Sequence, residues 1–276
     1  MKKTVYEGGT HNISNDSYHA SEGLSRSALM KFKKSPQHYW YEYESGLYQR
    51  PEPTPAFVLG DVVHTLVLEP EMYDQRYVTS PKFDRRTNAG KEAHQAFVAT
   101  SAGRTVLSED IAAQAVAMAS SVMQNELAQE LLKGGLVEQS IYWTHEATGI
   151  QLKARPDSWS GHLIVDLKTS IDASTRAFQS SAWNYGYYLQ SAFISEALKS
   201  IDMEMKKFVF LVVEKEPPYA TAIYMLDEDA LDLGIMQLNE LMRRFKQCQN
   251  SGDFPGYGVQ MLTVPGWAKY EEPHDE

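Results

Sequence analysis

The 276-residue chain holds a single cysteine, Cys248. One thiol excludes an intramolecular disulfide and any cysteine-rich zinc site, and fits a reducing compartment. Long apolar runs are also missing: nothing approaches the roughly 20 residues needed to span a bilayer. Met1-Lys2-Lys3 leads into Thr4-Val5-Tyr6-Glu7-Gly8 with no apolar stretch of a secretory signal. The expected location is therefore the cytoplasm, with no membrane partner. Basic residues are in deficit, 26 Lys and Arg against 36 Asp and Glu, for a net charge of -10. That excludes a protein that coats nucleic acid by bulk basicity, because counterion release needs several Lys or Arg presented together. No internal repeat or low-complexity segment is present, which removes solenoid architectures.

With 43% hydrophobic and 22% charged residues, the composition is that of a folded protein able to bury a full core. Local basic patches survive the acidic surplus: Arg26, Lys31, Lys33 and Lys34, then Lys82, Arg85, Arg86 and Lys91. The tail Glu271-Glu272-Pro273-His274-Asp275-Glu276 is polar and acidic enough to read as disordered. Ser25 is placed to cap a helix that Ser35-Pro36 stops, and an aromatic-rich helix then runs to Gly46. After the stiff linker Pro51 to Pro55, Ala56 to Leu68 reads as a buried helix. Residues 71 to 90 read as an irregular basic loop, with helices at about 89 to 99 and 108 to 132. The texture then changes to short alternating segments at 136–143, 149–156 and 162–169, expected as three antiparallel strands. Helices at 172–181 and 183–199, strands at 206–214 and 219–225, and a long helix from Asp227 to Gln249 complete an α+β fold.

Period-two alternation puts Asp166 and Lys168 on one face of the third segment. On the second, Gln151, Lys153, Arg155 and Asp157 share the polar face, and Glu138 shares a face with Ser140 and Tyr142 on the first. Three acids and a lysine can thus converge. Two carboxylates within reach of one point suit a hard divalent cation, and an adjacent ammonium can orient water or stabilise charge on a phosphoryl transition state. The alternative is a cross-strand salt bridge on a solvated sheet face. His64 lies among Val62, Val63, Leu66 and Val67, where a core histidine is the competing reading. The segment Pro81 to Lys91, with Arg85, Arg86 and Gly90 at a helix start, suits contact with a phosphate backbone or, alternatively, is a solvated loop. Arg26 and Lys31 could serve the same groove.

Arg155-Pro156-Asp157, followed nine positions on by Asp166-Leu167-Lys168-Thr169, resembles the PD-(D/E)xK nuclease core in its RecB-like form. Gly60-Asp61-Val62-Val63-His64 resembles the Gly-Asp-x-x-His helix of that branch, and Leu24 to Trp40 the opening of the RecE-type exonucleases, the exodeoxyribonuclease VIII family. The resemblance covers about residues 20 to 250. It implies a restriction-endonuclease-like core, a central mixed sheet flanked by helices with an N-terminal helical section. The division it implies is an arm at 1–20, a single nuclease domain at 21–250 and a tail at 251–276.

By the same resemblance, Asp157, Asp166, the Leu167 carbonyl and His64 hold Mg2+, for which Mn2+ can substitute, and Lys168 positions or activates the water. Glu138 matches an acid that this core supplies before Arg-Pro-Asp. Gln190 matches the glutamine of Gln-x-x-x-Tyr, although Ile194 stands where the tyrosine would be and Tyr187 and Tyr188 come before it. The implied DNA contacts are Arg85, Arg86, Lys91 and Arg26. The implied activity is that of a 5'-to-3' exonuclease on double-stranded DNA ends, leaving 3' single-stranded tails for recombination in a bacterial or phage-infected cell. A ring-shaped homo-oligomer, a tetramer by resemblance, and a single-strand annealing partner are further implications. An endonuclease on the same core, or a non-catalytic DNA-end-binding or assembly protein, are the alternatives.

Overall fold

The computed structural model describes residues 4–264. The acidic tail from Glu271 onward lies outside the described residues. The first stretch is built into the fold: strand β1 (Gly9–His11) pairs antiparallel with a later strand, and helix α1 (Asn15–Ala20) buries Tyr18. After β2 (Leu24–Ser25), helix α2 (Arg26–Lys34) starts where the Ser25 hydroxyl accepts the Ala28 N–H at 3.3 Å. Ser35 then caps α3 (Pro36–Tyr39), with Pro36 in the first turn, where its missing N–H costs nothing. The chain continues through a widened turn, Trp40–Glu44, closed by Ser45 N–H bonding to Trp40 O at 2.8 Å.

Thr54 and Pro55 start α4 (Pro55–Leu68) in the same manner. The segment expected as an irregular loop at 71–90 holds α5 (Tyr73–Arg76) and β3 (Tyr77–Thr79). Beyond α6 (Asn88–Thr100), β4 (Thr105–Leu107) pairs parallel with β3. Three-residue strands offer too short an alternation to read from sequence. The helix expected over 108–132 is two, α7 (Glu109–Gln124) and α8 (Glu126–Leu132), because Asn125 leaves helical geometry and caps the second.

The three expected strands are the main correction. The first is two, β5 (Leu136–Val137) and β6 (Ser140–Thr144), separated by Glu138 at φ 52°. The second ends early as β7 (Gln151–Ala154), and a further strand, β8 (Ser158–Ser160), precedes β9 (Leu163–Ser170). Then come α9 (Thr175–Asn184), α10 (Tyr187–Lys199), β10 (Lys207–Glu214), β11 (Thr221–Met225) and α11 (Glu228–Ser251), each within a few residues of expectation. Among the described residues five strands form a mixed sheet in the order β11-β10-β9-β8-β5, with its two longest, β9 and β10, parallel. A second sheet runs β1-β6-β7-β2. Between β5 and β8 the chain thus changes sheets twice, at Glu138 and at Pro156.

Helices cover both faces of the mixed sheet. Ile164 of β9 and Phe208, Phe210 and Val212 of β10 face one core with α2, α10 and α11. Val165 and Leu167, with Leu211 and Val213, face the other with α4 and α7. Sheet strands buried on both sides read as continuous apolar runs, as Phe208 to Val213 does. Asp166 interrupts such a strand while only 1% exposed. Burying a carboxylate there costs heavily unless it is paired.

Candidate active site

The site forms where the two sheets part. In the antiparallel pairing of β8 with β9, Ser158 lies opposite Val165. Carried one residue back, this register sets Asp157 opposite Asp166. Like charges directly across a sheet repel, so this juxtaposition destabilises the fold unless something positive is shared between them.

Each acid has its own partners. Asp157 Oδ2 accepts the Leu167 N–H at 2.8 Å and lies 3.3 Å from His64 Nε2. His64 comes from α4, on the opposite side of the mixed sheet from α10, and its Nδ1 donates to Gly60 O at 2.8 Å. That bond commits Nδ1 as a donor and leaves Nε2 facing the carboxylate. Asp166 Oδ1 accepts from Gln190 Nε2 at 2.5 Å, and its Oδ2 faces Lys168 Nζ. Lys168 Nζ also lies 5.0 Å from the centre of the Tyr187 ring.

Electrostatics separate the groups. Burial pushes the Asp166 carboxyl up, Lys168 opposes this, and the charge of Asp157 adds to it. Burial acts on Asp157 too, but the hydrogen bond and charge of His64, with Lys168, hold it below the usual carboxylate range. The same bond raises His64 against the effect of its own burial. Lys168 is raised because Asp166 and Asp157 outweigh its desolvation, so it stays an ammonium. Glu138 does not alternate with Ser140 and Tyr142 as expected, since its positive φ breaks the strand. Its N–H donates to Asp157 O at 3.2 Å, and burial, then the charge of Asp157, pushes its carboxyl up to about 8.

Among the described residues, no three His, Cys, Asp or Glu side chains close into a metal cage. His64 is engaged with Asp157, and Asp166 with Lys168 and Gln190. The donor set still fits magnesium, which takes one or two carboxylates and completes its shell with water and phosphate oxygens. Among the described residues, Gln190 Oε1 is buried with no hydrogen-bond partner, which leaves an oxygen free for a water of such a shell. The Leu167 side chain is fully buried in the second core, which pins its main chain between the two acids.

Lys168 and Gln190 open into a groove of about 1620 Å³, which is also lined by Arg26, Arg50, Lys153 and Arg155. Arg26 was an expected contact, whereas Arg50, Lys153 and Arg155 are the cations of the groove that sequence reading missed. Lys153 on β7 and Arg155 just past its end share an alternation, a visible signal, whereas nothing in the sequence brings Arg50 or His19 to them. His19, exposed but hemmed in on the groove wall, is lowered from 6.5 by partial burial, then by the charges of Arg50, Lys153 and Arg155. Arg26 is half-buried, and its guanidinium donates to Tyr185 O and, at 3.1 Å, to Gly186 O. Arg85, Arg86 and Lys91 do not line this groove. They are exposed at the start of α6, where Asp84 captures Arg86 at 2.9 Å. Ile194 packs in the first core, and the ring beside Lys168 is Tyr187 instead.

The family described as "PDDEXK-like domain of unknown function" (DUF3799) matches residues 25–262, most of the chain. The chain belongs to this PDDEXK-like family. No curated protein matches it. Among solved structures, a candidate exonuclease from Eubacterium rectale is 17% identical, with 92% of this chain and 96% of that one covered and a TM-score of 0.63. At that identity the likeness shows a shared fold, the nuclease-like mixed sheet flanked by helices. A phage-related exonuclease from Haemophilus somnus 129PT is 13% identical over 84% of this chain and 98% of its own, with a TM-score of 0.32, too low to argue from. None of the helices described is long and apolar enough to cross a membrane.

Proposed function

We propose that this PDDEXK-like protein is a magnesium-dependent deoxyribonuclease, a phosphodiesterase that degrades linear double-stranded DNA from its ends, 5' to 3', and leaves 3' single-stranded tails for recombination. The observation that carries the reading is Asp157 set opposite Asp166, with Lys168 beside them at the head of a cationic groove. A buried like-charge pair is a poor structural device, and its natural use is to bind a cation and a phosphate together. In an acidic protein of net charge -10, the groove is lined by six cations, Arg26, Lys31, Arg50, Lys153, Arg155 and Lys168, against three acids, Glu22, Glu42 and Glu44, and that local surplus favours an anionic backbone there.

Asp157 and Asp166, with the Leu167 carbonyl and His64, would hold Mg2+ or Mn2+. The bound cation supplies a lowered water pKa and charge neutralisation at the phosphate. Lys168, held as an ammonium, positions the water and stabilises charge on the phosphoryl oxygens. Gln190 fixes the orientation of Asp166, and Glu138 contributes a carboxyl beside Asp157. Arg85, Arg86 and Lys91, outside the groove, would meet duplex away from the cleaved phosphate. Polarity, the ring-shaped tetramer and the single-strand annealing partner rest on the RecE-like opening at Leu24 to Trp40.

The test is purified protein with end-labelled linear duplex or closed circular DNA, with Mg2+ or EDTA, beside Lys168→Ala. Mg2+-dependent release of nucleotides from linear DNA alone, reduced at least about 100-fold in Lys168→Ala, is expected. Cutting of the circle would replace the end-dependent reading with an endonuclease. Binding of ends with no release from any DNA would leave a non-catalytic end-binding protein.

A further inference from the structure

Beside Lys168 a stack of aromatic rings runs from the core to solvent. Phe210 is fully buried. Tyr187 lies against it with centroids 5.1 Å apart and planes 30° apart, and Tyr185 follows on Tyr187 at 6.1 Å and 29°. Tyr185 is the outermost ring and is 61% exposed. With Ile171, 80% exposed, it borders a pocket of about 230 Å³ lined by Thr169, Ser170, Asp172, Phe178, Tyr187 and Lys215. Asp172 Oδ1 accepts the Ser174 N–H at 2.7 Å, which ties that carboxylate to its own turn and keeps it ionised, and Lys215 is the cation of the pocket.

The turn that carries Tyr185 is held. Arg26 bonds both its carbonyl and that of Gly186. Gly186 takes φ 65°, and a Cβ there would meet Met30 Sδ at 2.8 Å. A ring presented from a fixed turn loses little entropy on contact, which favours a preformed stacking surface. A single exposed tyrosine is ordinary. One that ends a stack whose middle ring is 5.0 Å from a candidate catalytic ammonium is within a nucleotide's reach of the chemistry.

We propose that Tyr185 and the adjoining pocket form a stacking subsite for one unpaired nucleobase of the strand at the active site, with Lys215 facing its phosphate. The inference rests on the nuclease reading and adds to it that the strand enters with a base exposed. A ring accepts any base because every base has a π-face, so the subsite reads unpairing and not sequence.

The probe is a single-stranded oligonucleotide with 2-aminopurine at successive positions, bound in EDTA, alongside the same oligonucleotide with an abasic site. Quenching at one position is expected for the natural protein and Tyr185→Phe, and its loss, with about tenfold weaker binding, for Tyr185→Ala. The abasic oligonucleotide should bind about tenfold more weakly to the natural protein and no differently to Tyr185→Ala. Mg2+-dependent cleavage of linear duplex without quenching or abasic discrimination would overturn the subsite and leave the nuclease reading standing. Quenching without cleavage of any DNA would keep the stacking site and sink the nuclease reading. Neither quenching nor cleavage would overturn both.

Discussion

Asp157 Oδ2 accepts the main-chain N–H of Leu167 at 2.8 Å, which fastens the turn after Arg155-Pro156 to the middle of the central strand. That bond fixes one acid across from the other and spends one of its oxygens on the backbone. A second charge is thereby held close to Asp166 in a strand that otherwise buries only apolar groups.

Such a pair should respond to cations. Millimolar Mg2+ is expected to raise the thermal midpoint of the natural protein, since a ligand at about 100 times its dissociation constant stabilises by about 2.7 kcal/mol. Asp157→Asn and Asp166→Asn should each lose the Mg2+ shift. Differential scanning fluorimetry in EDTA and Mg2+ measures it, and equal shifts in all three proteins would remove the metal from this site.

Gln190 is the donor to Asp166 Oδ1, so Gln190→Ala should leave a buried carboxylate oxygen without its partner. The expected loss is about 1–3 kcal/mol of unfolding free energy by urea titration. Turnover should fall roughly ten- to hundredfold as Asp166 loses its fixed orientation. Full activity with a lowered stability would make Gln190 structural only.

Glu138 sits at φ 52°, a conformation that side chains with a Cβ resist by about 1–2 kcal/mol. Glu138→Gly should relieve that strain and remove a half-buried carboxyl, and so stabilise the fold by about 1 kcal/mol while slowing turnover. Glu138→Gln keeps the strained backbone and should show a smaller gain. Urea midpoints of the two variants separate backbone strain from charge.

The groove predicts a pH dependence. His19 is lowered below 6.5 by its surroundings and three cations, so its contribution to stability is complete above that pH and declines as pH falls through the ordinary value toward the lowered one. A DNA phosphate offsets those cations and lifts His19 again, so the complex takes up a proton. Affinity for duplex measured by anisotropy should rise as pH falls from about 7.5 to 6, more for the natural protein than for His19→Gln. Parallel slopes for the two would place the DNA elsewhere.

Much of this was readable from the chain. Alternation along Leu163 to Lys168 placed Asp166 and Lys168 on one face, and Ser25, Ser108 and Asp227 mark their helices through short-range capping, whereas Thr54, read as linker, caps α4. Other features were not readable. The break at Glu138 depends on a single positive φ, which no residue type there announces. β3 and β4 are too short to show a period. The cations of the groove come from distant segments, with Arg26 and Arg50 brought to Lys153 and Arg155 only by packing.

The sequence by itself determined the local elements and the motif residues, because capping, alternation and turn chemistry act over a few neighbours. Tertiary structure alone decided that the chain would leave one sheet at Pro156 and enter the other, and so set Asp157 opposite Asp166. It also brought His64 and Gln190 to the two acids from opposite helical layers. Long-range register is decided by which faces can be buried together, a property of the whole packed chain and of no single segment.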